Sequence, residues 1–223
     1  MRILVPIKQV PETSAVRMDE KTGTMIREGV EAIVNPLDLY AIEAAIALRE
    51  RVGGEVVTIS MGPPNAIKAL REAVAMGCDS AALISHKALA GSDTWATSYV
   101  LAAAVRKLGP FDLIICGERA TDGDTGQVGP ELASFLDLPV LTYVGHIESV
   151  KDGQVRVRRL VEGGYEILES SLPAKALSET RAPESTPMAM ASRRASSALG
   201  GPMETATTSP PCFSRNWMAI SMA

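Results

Sequence analysis

A doubly wound α/β fold, with a mostly parallel sheet and helices on both faces, follows from three observations. Apolar runs of strand length alternate with longer stretches of helical periodicity from the first residues to about 140. The runs, such as "EVVTISMG" and "FDLIICG", are apolar nearly throughout, which is the pattern of strands covered on both faces. Between 141 and 171 the pattern becomes apolar–polar alternation, which predicts a short antiparallel β meander on the same domain.

The elements can be justified in order. "RILVPIK" (2–8) is the first strand, followed by a polar excursion in which Thr22-Gly23 and its polar flanks predict a surface hairpin. A helix starts after Asn35-Pro36; Leu39, Ile42, Ala45, Ile46 and Leu48 fall mainly on one side, and Gly53-Gly54 stops it. "EVVTISMG" (55–62), "PNAIKALREAVAMG" (64–77) and "SAALISH" (80–86) are strand, helix and strand. "SDTWATSYVLAAAVRKLG" is a helix capped by Ser92 or Asp93. "FDLIICG" is the fourth strand, and "GQVGPELASFLDLP" the next helix. In the meander, "KDG" (151–153) and "EGG" (162–164) supply the turns. After Pro173 the chain is rich in Ala, Ser, Thr, Pro and Met with little periodicity, so it is a C-terminal arm that is disordered or folded against something else.

Composition removes several function classes. The 22 basic and 26 acidic residues give a net charge of −4, which leaves no broad footprint for nucleic acid. Cys78, Cys116 and Cys212 are too few and scattered for a disulfide framework or a zinc cluster. Cys116, at the end of an apolar run, reads as a buried small hydrophobe. "MRILVPIKQV" reads directly as a strand, and no run approaches the roughly twenty apolar residues of a membrane span, so no transmembrane segment and a cytoplasmic location are expected.

The chemistry concentrates at the strand ends. In open parallel sheets, ligands bind beyond the carboxyl ends of the strands, where helix N-termini present N–H groups and positive dipole ends. "ATDGDTGQVGPELA" (120–133) lies there after the fourth strand. Gly123, Gly126 and Gly129 allow close backbone approach, and Thr125 and Gln127 can hydrogen-bond phosphate or sugar, which makes the stretch a phosphate cradle at a helix start. It is neither a P-loop nor the dinucleotide fingerprint after a first strand. Its two aspartates argue against a bare polyphosphate unless their side chains turn away or cap the helix. The stretch also fits a plain Asp/Gly turn with a helix cap. "IKQVPET", "SMGPP" and "GSDTWATS" follow the other strands and meet it on the same sheet edge. Lys8 could neutralise phosphate and Thr94 and Thr97 could bond it; a solvated lysine and helix-start threonines are the alternatives. Trp95 fits core, interface or stacking platform equally. His86 and His146 are isolated, and no Ser/His/Asp, Cys/His or metal-ligand spacing is visible, so the catalytic set is empty and no metal is expected.

The stretches "ILVPIKQVPET", "DEKTGTMIREGV", "IVNPLD", "MGPPNAIKALREAVAMGCD", "GSDTWATSYVLAAAV", "ICGERATDGDTGQVGPELA" and "VEGGYEILESSLPA" resemble the β subunit of electron transfer flavoprotein, a family that includes nitrogen-fixation-associated flavoproteins. The resemblance runs from residue 1 to about 174. It implies pairing with an α subunit that carries FAD, and an adenine nucleotide on this chain: AMP in ordinary members, a second FAD in bifurcating ones. "GSDTWATSY" with "DGDTGQVGP" resembles the two-FAD branch, which places Thr94, Thr97 and Thr125 around the pyrophosphate. The cofactor-binding candidates are then Pro6, Ile7 and Lys8; Asn35, Pro36 and Asp38; Met61 and Gly62; Thr94 and Thr97; and Asp122, Gly123, Asp124, Thr125, Gly126, Gln127, Val128 and Gly129. The family usually has alanine where Gly126 stands. After "SLPA" it continues with an apolar strand, an "NEPR" segment, a recognition loop and an arm around the α subunit; here only "LSETRAP" and "MAMASRR" echo that pattern.

The resulting expectations are a nucleotide-binding α/β domain over 1–140, its antiparallel β extension over 141–174 and a C-terminal arm over 175–223. Function is expected to be that of an electron-transfer subunit with a possible NADH-oxidising flavin site. The resemblance implies redox partners among NADH, acyl-CoA dehydrogenase or other flavin dehydrogenases, ferredoxin or flavodoxin, and quinone oxidoreductase, with electron bifurcation as an option of the branch. The alternatives are an AMP-binding β subunit serving acyl-CoA dehydrogenases and, from another class, a stand-alone adenine-nucleotide sensor of universal-stress-protein type.

Overall fold

The computed structural model describes residues 1–12, 17–18, 25–26, 31–178 and 217–220. The chain begins with β1 (Arg2–Pro6) and four short strands: β2 (Gln9–Pro11), β3 (Arg17–Met18), β4 (Met25–Ile26) and β5 (Ala32–Val34). β2 pairs with β5 and β3 with β4, both antiparallel. The β3–β4 pair flanks the expected hairpin; its Thr22-Gly23 turn lies outside the described residues. Then follow α1 (Pro36–Val52), β6 (Glu55–Met61), α2 (Ile67–Met76), β7 (Ser80–Ile84), α3 (Thr94–Leu108), β8 (Leu113–Gly117) and α4 (Val128–Leu136). The chain continues with β9 (Val140–Lys151), β10 (Gln154–Val161), β11 (Gly164–Ser171), β12 (Ala174–Ser178) and β13 (Trp217–Ile220).

Nine strands form one sheet in the order β11-β10-β9-β12-β8-β1-β6-β7-β13. The stretch from β12 to β13 is parallel throughout, and β9, β10 and β11 pair antiparallel at one side. Both faces of the parallel part are dry. Ile3, Val5, Leu113 and Ile115 pack into one apolar cluster with Ile42 and Ile46 of α1 and Leu70 of α2. Leu4, Ile59 and Ile114 point the other way, into a cluster with Val100 and Leu101 of α3 and Leu132 of α4. This double burial is why the strands read as unbroken apolar runs. No helix of the described residues is long and apolar enough to cross a membrane.

Three features differ from the sequence reading in physically informative ways. The segment expected as a helix from 64 opens as a 3-10 turn, Pro64–Ala66, before α2 proper, because the Pro63-Pro64 pair removes backbone donors and restricts its neighbours. β9 is one continuous strand that changes partner in its middle: Val144 is paired in parallel with Ser178 and antiparallel with Arg159. The residue before it, Tyr143, has a φ of 55°, in the left-handed region, which re-aims the strand from the sheet into the meander. The boundary drawn at 174/175 falls inside β12, which inserts between β8 and β9. Ala174 and Ala176 are buried there; two small residues in a five-residue strand carry too little apolar signal to stand out from the composition around them.

Ile114 lies in β8 between β1 and β12 and is 1% exposed. Ile114→Ala is expected to lower stability by about 2–5 kcal/mol, read as a lower urea midpoint with an unchanged denaturant slope.

Candidate functional site

The carboxyl ends of β1, β6, β7 and β8 open onto one cleft of about 1200 Å³. Its walls are the chain segments that leave those strands, the arrangement in which open α/β sheets bind ligands. The structure brings together on these walls Pro6, Ile7 and Lys8 after β1, Met61 and Gly62 after β6, Thr94 and Thr97 at the start of α3, and residues 123–129 between β8 and α4. Asp38 reaches the wall from the first turn of α1. Asn35 is buried behind this lining, and Pro36 and Asp122 are exposed outside it. Gly117 and Arg119, within the strand-end region that the sequence marks but not singled out there as binding residues, also line the cleft, as do Cys116 and residues 85–87 and 89–90 after β7, which the sequence reading did not place there. Position gave the usable signal for Arg119, two residues past the fourth strand.

Asn35 is fully buried, and its amide bonds two backbone groups of the loop after β8. Nδ2 donates to the Arg119 carbonyl at 2.8 Å, and Oδ1 accepts from the Thr121 N–H at 3.1 Å. Its own N–H donates to the Lys8 carbonyl at 2.8 Å. Three residues on, the buried Asp38 carboxylate accepts the Lys8 N–H at 2.7 Å. The start of α1 thus ties the exit of β1 to the exit of β8. Gly117 makes the closeness possible: a Cβ there would lie 2.3 Å from Asp38 Oδ1 and 2.9 Å from the Leu37 carbonyl carbon. Burial pushes the Asp38 carboxyl up to about 7, against the opposing Lys8 N–H bond, the Asn35 side chain and the Lys8 charge. Desolvation of a fully enclosed carboxylate outweighs two hydrogen bonds and one exposed cation.

The segment from Glu118 to Gly129 is shaped by its backbone and by ion pairs of Lys8 and Arg119, the longest of them Arg119 Nε to Glu118 Oε1 at 3.9 Å. Asp124 and Gly126 have φ of 54° and 64°, a conformation that costs little for glycine and is tolerated by aspartate. At Gly123 a Cβ would meet no protein atom within 4 Å, so internal packing makes no demand for glycine there. Lys8 Nζ pairs with Asp122 Oδ1 at 2.7 Å, and Arg119 Nε with Asp124 Oδ1 at 3.0 Å. α4 starts without a side-chain cap, whereas α3 is capped by Asp93, whose carboxylate accepts from the Ala96 N–H at 2.8 Å. The two helix starts are tied by Glu131, which accepts from the Thr94 hydroxyl at 3.1 Å and the Ser98 hydroxyl at 3.0 Å. Thr94 therefore spends its hydroxyl proton within the protein. Thr97 lines the cleft one turn into α3.

The remaining sequence candidates sort by position. His86 Nδ1 accepts from the Ala88 N–H at 3.1 Å and caps a 3-10 turn, Lys87–Leu89. His146 is exposed on β9. Trp95 is 58% exposed outside the cleft, with its ring 4.6 Å from that of Phe135. Cys116 is buried on the cleft floor.

The raised Asp38 carboxyl makes stability depend on pH. Between about 4 and 7 the folded chain keeps this proton while the unfolded chain releases it, so the contribution is complete below about 4 and is lost as pH rises through about 7. Each pH unit in that window is worth up to about 1.4 kcal/mol. The stability difference between wild type and Asp38→Asn, measured by urea denaturation, is expected to fall across that window; a rising difference would show that the folded carboxyl is ionised.

Residues 22–199 match the electron transfer flavoprotein domain family. Similar proteins include "Caffeyl-CoA reductase-Etf complex subunit CarD" of Acetobacterium woodii, 52% identical over 174 residues that make up 78% of this chain and 66% of the relative. "Electron transfer flavoprotein subunit beta" of Thermoanaerobacterium thermosaccharolyticum is 52% identical with the same coverage of both chains. "Protein FixA" of Azotobacter vinelandii is 47% identical over 178 residues, 78% of this chain and 63% of that one. In each case the matched part spans about two thirds of the relative's length or less. With the parallel sheet, the cleft at its strand ends and the 118–129 segment between β8 and α4, these matches establish that the chain belongs to the electron transfer flavoprotein family, among its β-subunit and FixA members.

Proposed function

We propose that this chain is the β subunit of an electron transfer flavoprotein of the two-FAD branch, which pairs with an α subunit in the cytoplasm and holds FAD in the cleft at the ends of β1, β6, β7 and β8. The observation that carries the reading is the cleft itself. At about 1200 Å³ it exceeds the usual 300–1,000 Å³ of small-ligand sites, which suits a dinucleotide. The residues present also fit the group. The uncapped start of α4 and the left-handed Gly126 offer a phosphate-binding turn, and the open space at Gly123 leaves room for a ligand against the backbone.

In this reading residues 123–129 hold the pyrophosphate with Thr97 and Thr125, and the strand exits at Pro6–Lys8 and Met61–Gly62 hold the rest of the cofactor. Asn35 and Asp38 fix the distance between the two main walls from behind. A flavin bound here would supply hydride and single-electron chemistry; the chain supplies position, electrostatics and shelter from water. The names of the relatives, an Etf complex subunit and an electron transfer flavoprotein subunit among them, support a role as one subunit of an electron-transfer complex; in this reading the heterodimer takes electrons from NADH or a flavin dehydrogenase and hands them to a partner acceptor, with bifurcation as part of the same proposal. An AMP-only site is the second reading, in which a mononucleotide bound by the same loops would fill less of the cleft.

Purification of the chain with its α subunit is expected to yield two FAD per heterodimer and no AMP; one FAD with one AMP would select the second reading, and no nucleotide on this chain would overturn both. Gly129, buried in the first turn of α4, provides a finer check. Gly129→Val is expected to lose the nucleotide on gel filtration while keeping the wild-type far-ultraviolet circular dichroism; equal retention would remove residues 123–129 from the binding reading.

A further inference from the structure

The two cationic side chains at the 118–129 segment are each engaged by a carboxylate of that segment. Lys8 Nζ lies 2.7 Å from Asp122, and Arg119 Nε lies 3.0 Å from Asp124. Both carboxylates belong to the 118–129 segment: Asp122 reaches across to Lys8, 114 residues away in sequence, whereas Asp124 pairs within the segment with Arg119, which also has Glu118 Oε1 at 3.9 Å. Lys87, the other cation on the wall, is exposed on the 3-10 turn after β7, without an ion pair among the described residues. What remains for an anion near the segment is neutral: the start of α4 and the hydroxyls and amides of residues 123–129. Neutral donors can satisfy an internal diester, whose phosphates carry one charge each. A terminal phosphate carries about two negative charges at neutral pH and would sit beside two carboxylates already committed to the local cations.

We propose that Asp122 and Asp124, by occupying Lys8 and Arg119, are specificity-determining residues that make the cleft accept an internal pyrophosphate diester and reject a terminal di- or triphosphate chain. The inference rests on the nucleotide reading above and adds the charge rule of that site. Because both pairs are half-exposed, screening by salt weakens the rule: rejection is strongest at low ionic strength.

The test uses the full chain, in the complex in which it purifies, stripped of nucleotide and titrated with FAD and with ATP. At low salt the wild type is expected to bind ATP at least tenfold more weakly than FAD. In the doubly substituted Asp122→Asn, Asp124→Asn protein the ratio of the two dissociation constants is expected to shrink at least tenfold. The Asp122→Glu, Asp124→Glu protein keeps the charges and is expected to stay within about threefold of the wild-type ratio, which separates charge from damage to the loop. Equal binding of ATP and FAD by the wild type, or an unchanged ratio in the Asn protein, would overturn the inference and leave the nucleotide reading standing. A wild type that binds neither nucleotide would overturn that reading, and the inference with it.

Discussion

The site depends on the contact between the start of α1 and the segments that leave β1 and β8. One fully buried amide, Asn35, and one buried carboxyl, Asp38, hold three backbone groups from these two segments. Leaving a buried backbone donor or acceptor without its partner costs about 1–3 kcal/mol each, so loss of either side chain would be felt in both walls at once. The contact also explains a glycine that has no turn to make. Gly117 ends β8 as an extended residue, and it is small because Asp38 and the Leu37 backbone occupy the space a side chain would need.

Around this anchor the two walls acquire opposite characters. The α3 start is internally complete, with Asp93 on its N–H groups and Glu131 on its hydroxyls. The α4 start carries no such cap, and its preceding segment holds two left-handed residues. Of the two helix starts on the cleft, only that of α3 carries a side-chain cap, and in the proposed function the start of α4 is the anion-binding end. The acidic residues that looked unfavourable for phosphate are engaged with Lys8 and Arg119, so they shape the field of the cleft through local neutralisation.

The other side of the sheet shows how a parallel α/β domain acquires an extension. β9 starts beside β12, passes through the left-handed Tyr143 and continues as the first strand of the meander. The meander's inward residues Ile147, Val155 and Val157 join the apolar cluster that includes α1, so the extension shares the core of the main domain. The insertion of β12 between β8 and β9 follows from the same geometry. The chain returning from β11 re-enters between β8 and β9, where Ala174 and Ala176 are buried.

The sequence by itself determined what depends on local pattern. Apolar runs alternating with helical periodicity specify the doubly wound sheet, the "KDG" and "EGG" turns specify the meander, and the crowd of Gly, Asp and Thr between 120 and 129 marks the strand end where the cleft lies. Tertiary structure alone decided which of those residues face the cleft and which stand behind it. Asn35 reads in sequence as a cofactor-binding candidate before a helix, whereas its side-chain bonds are to a loop more than eighty residues away. Asp122 reads as a turn residue and cofactor-binding candidate, and its partner is a lysine brought to it by the pairing of β1 with β8. β12 was hidden for a related reason: five residues in the centre of a sheet need little hydrophobicity of their own when both neighbours supply the ladder. Periodicity records which face of an element is buried; partners across strand ends are set by the order of strands in the sheet, and no local pattern encodes that order.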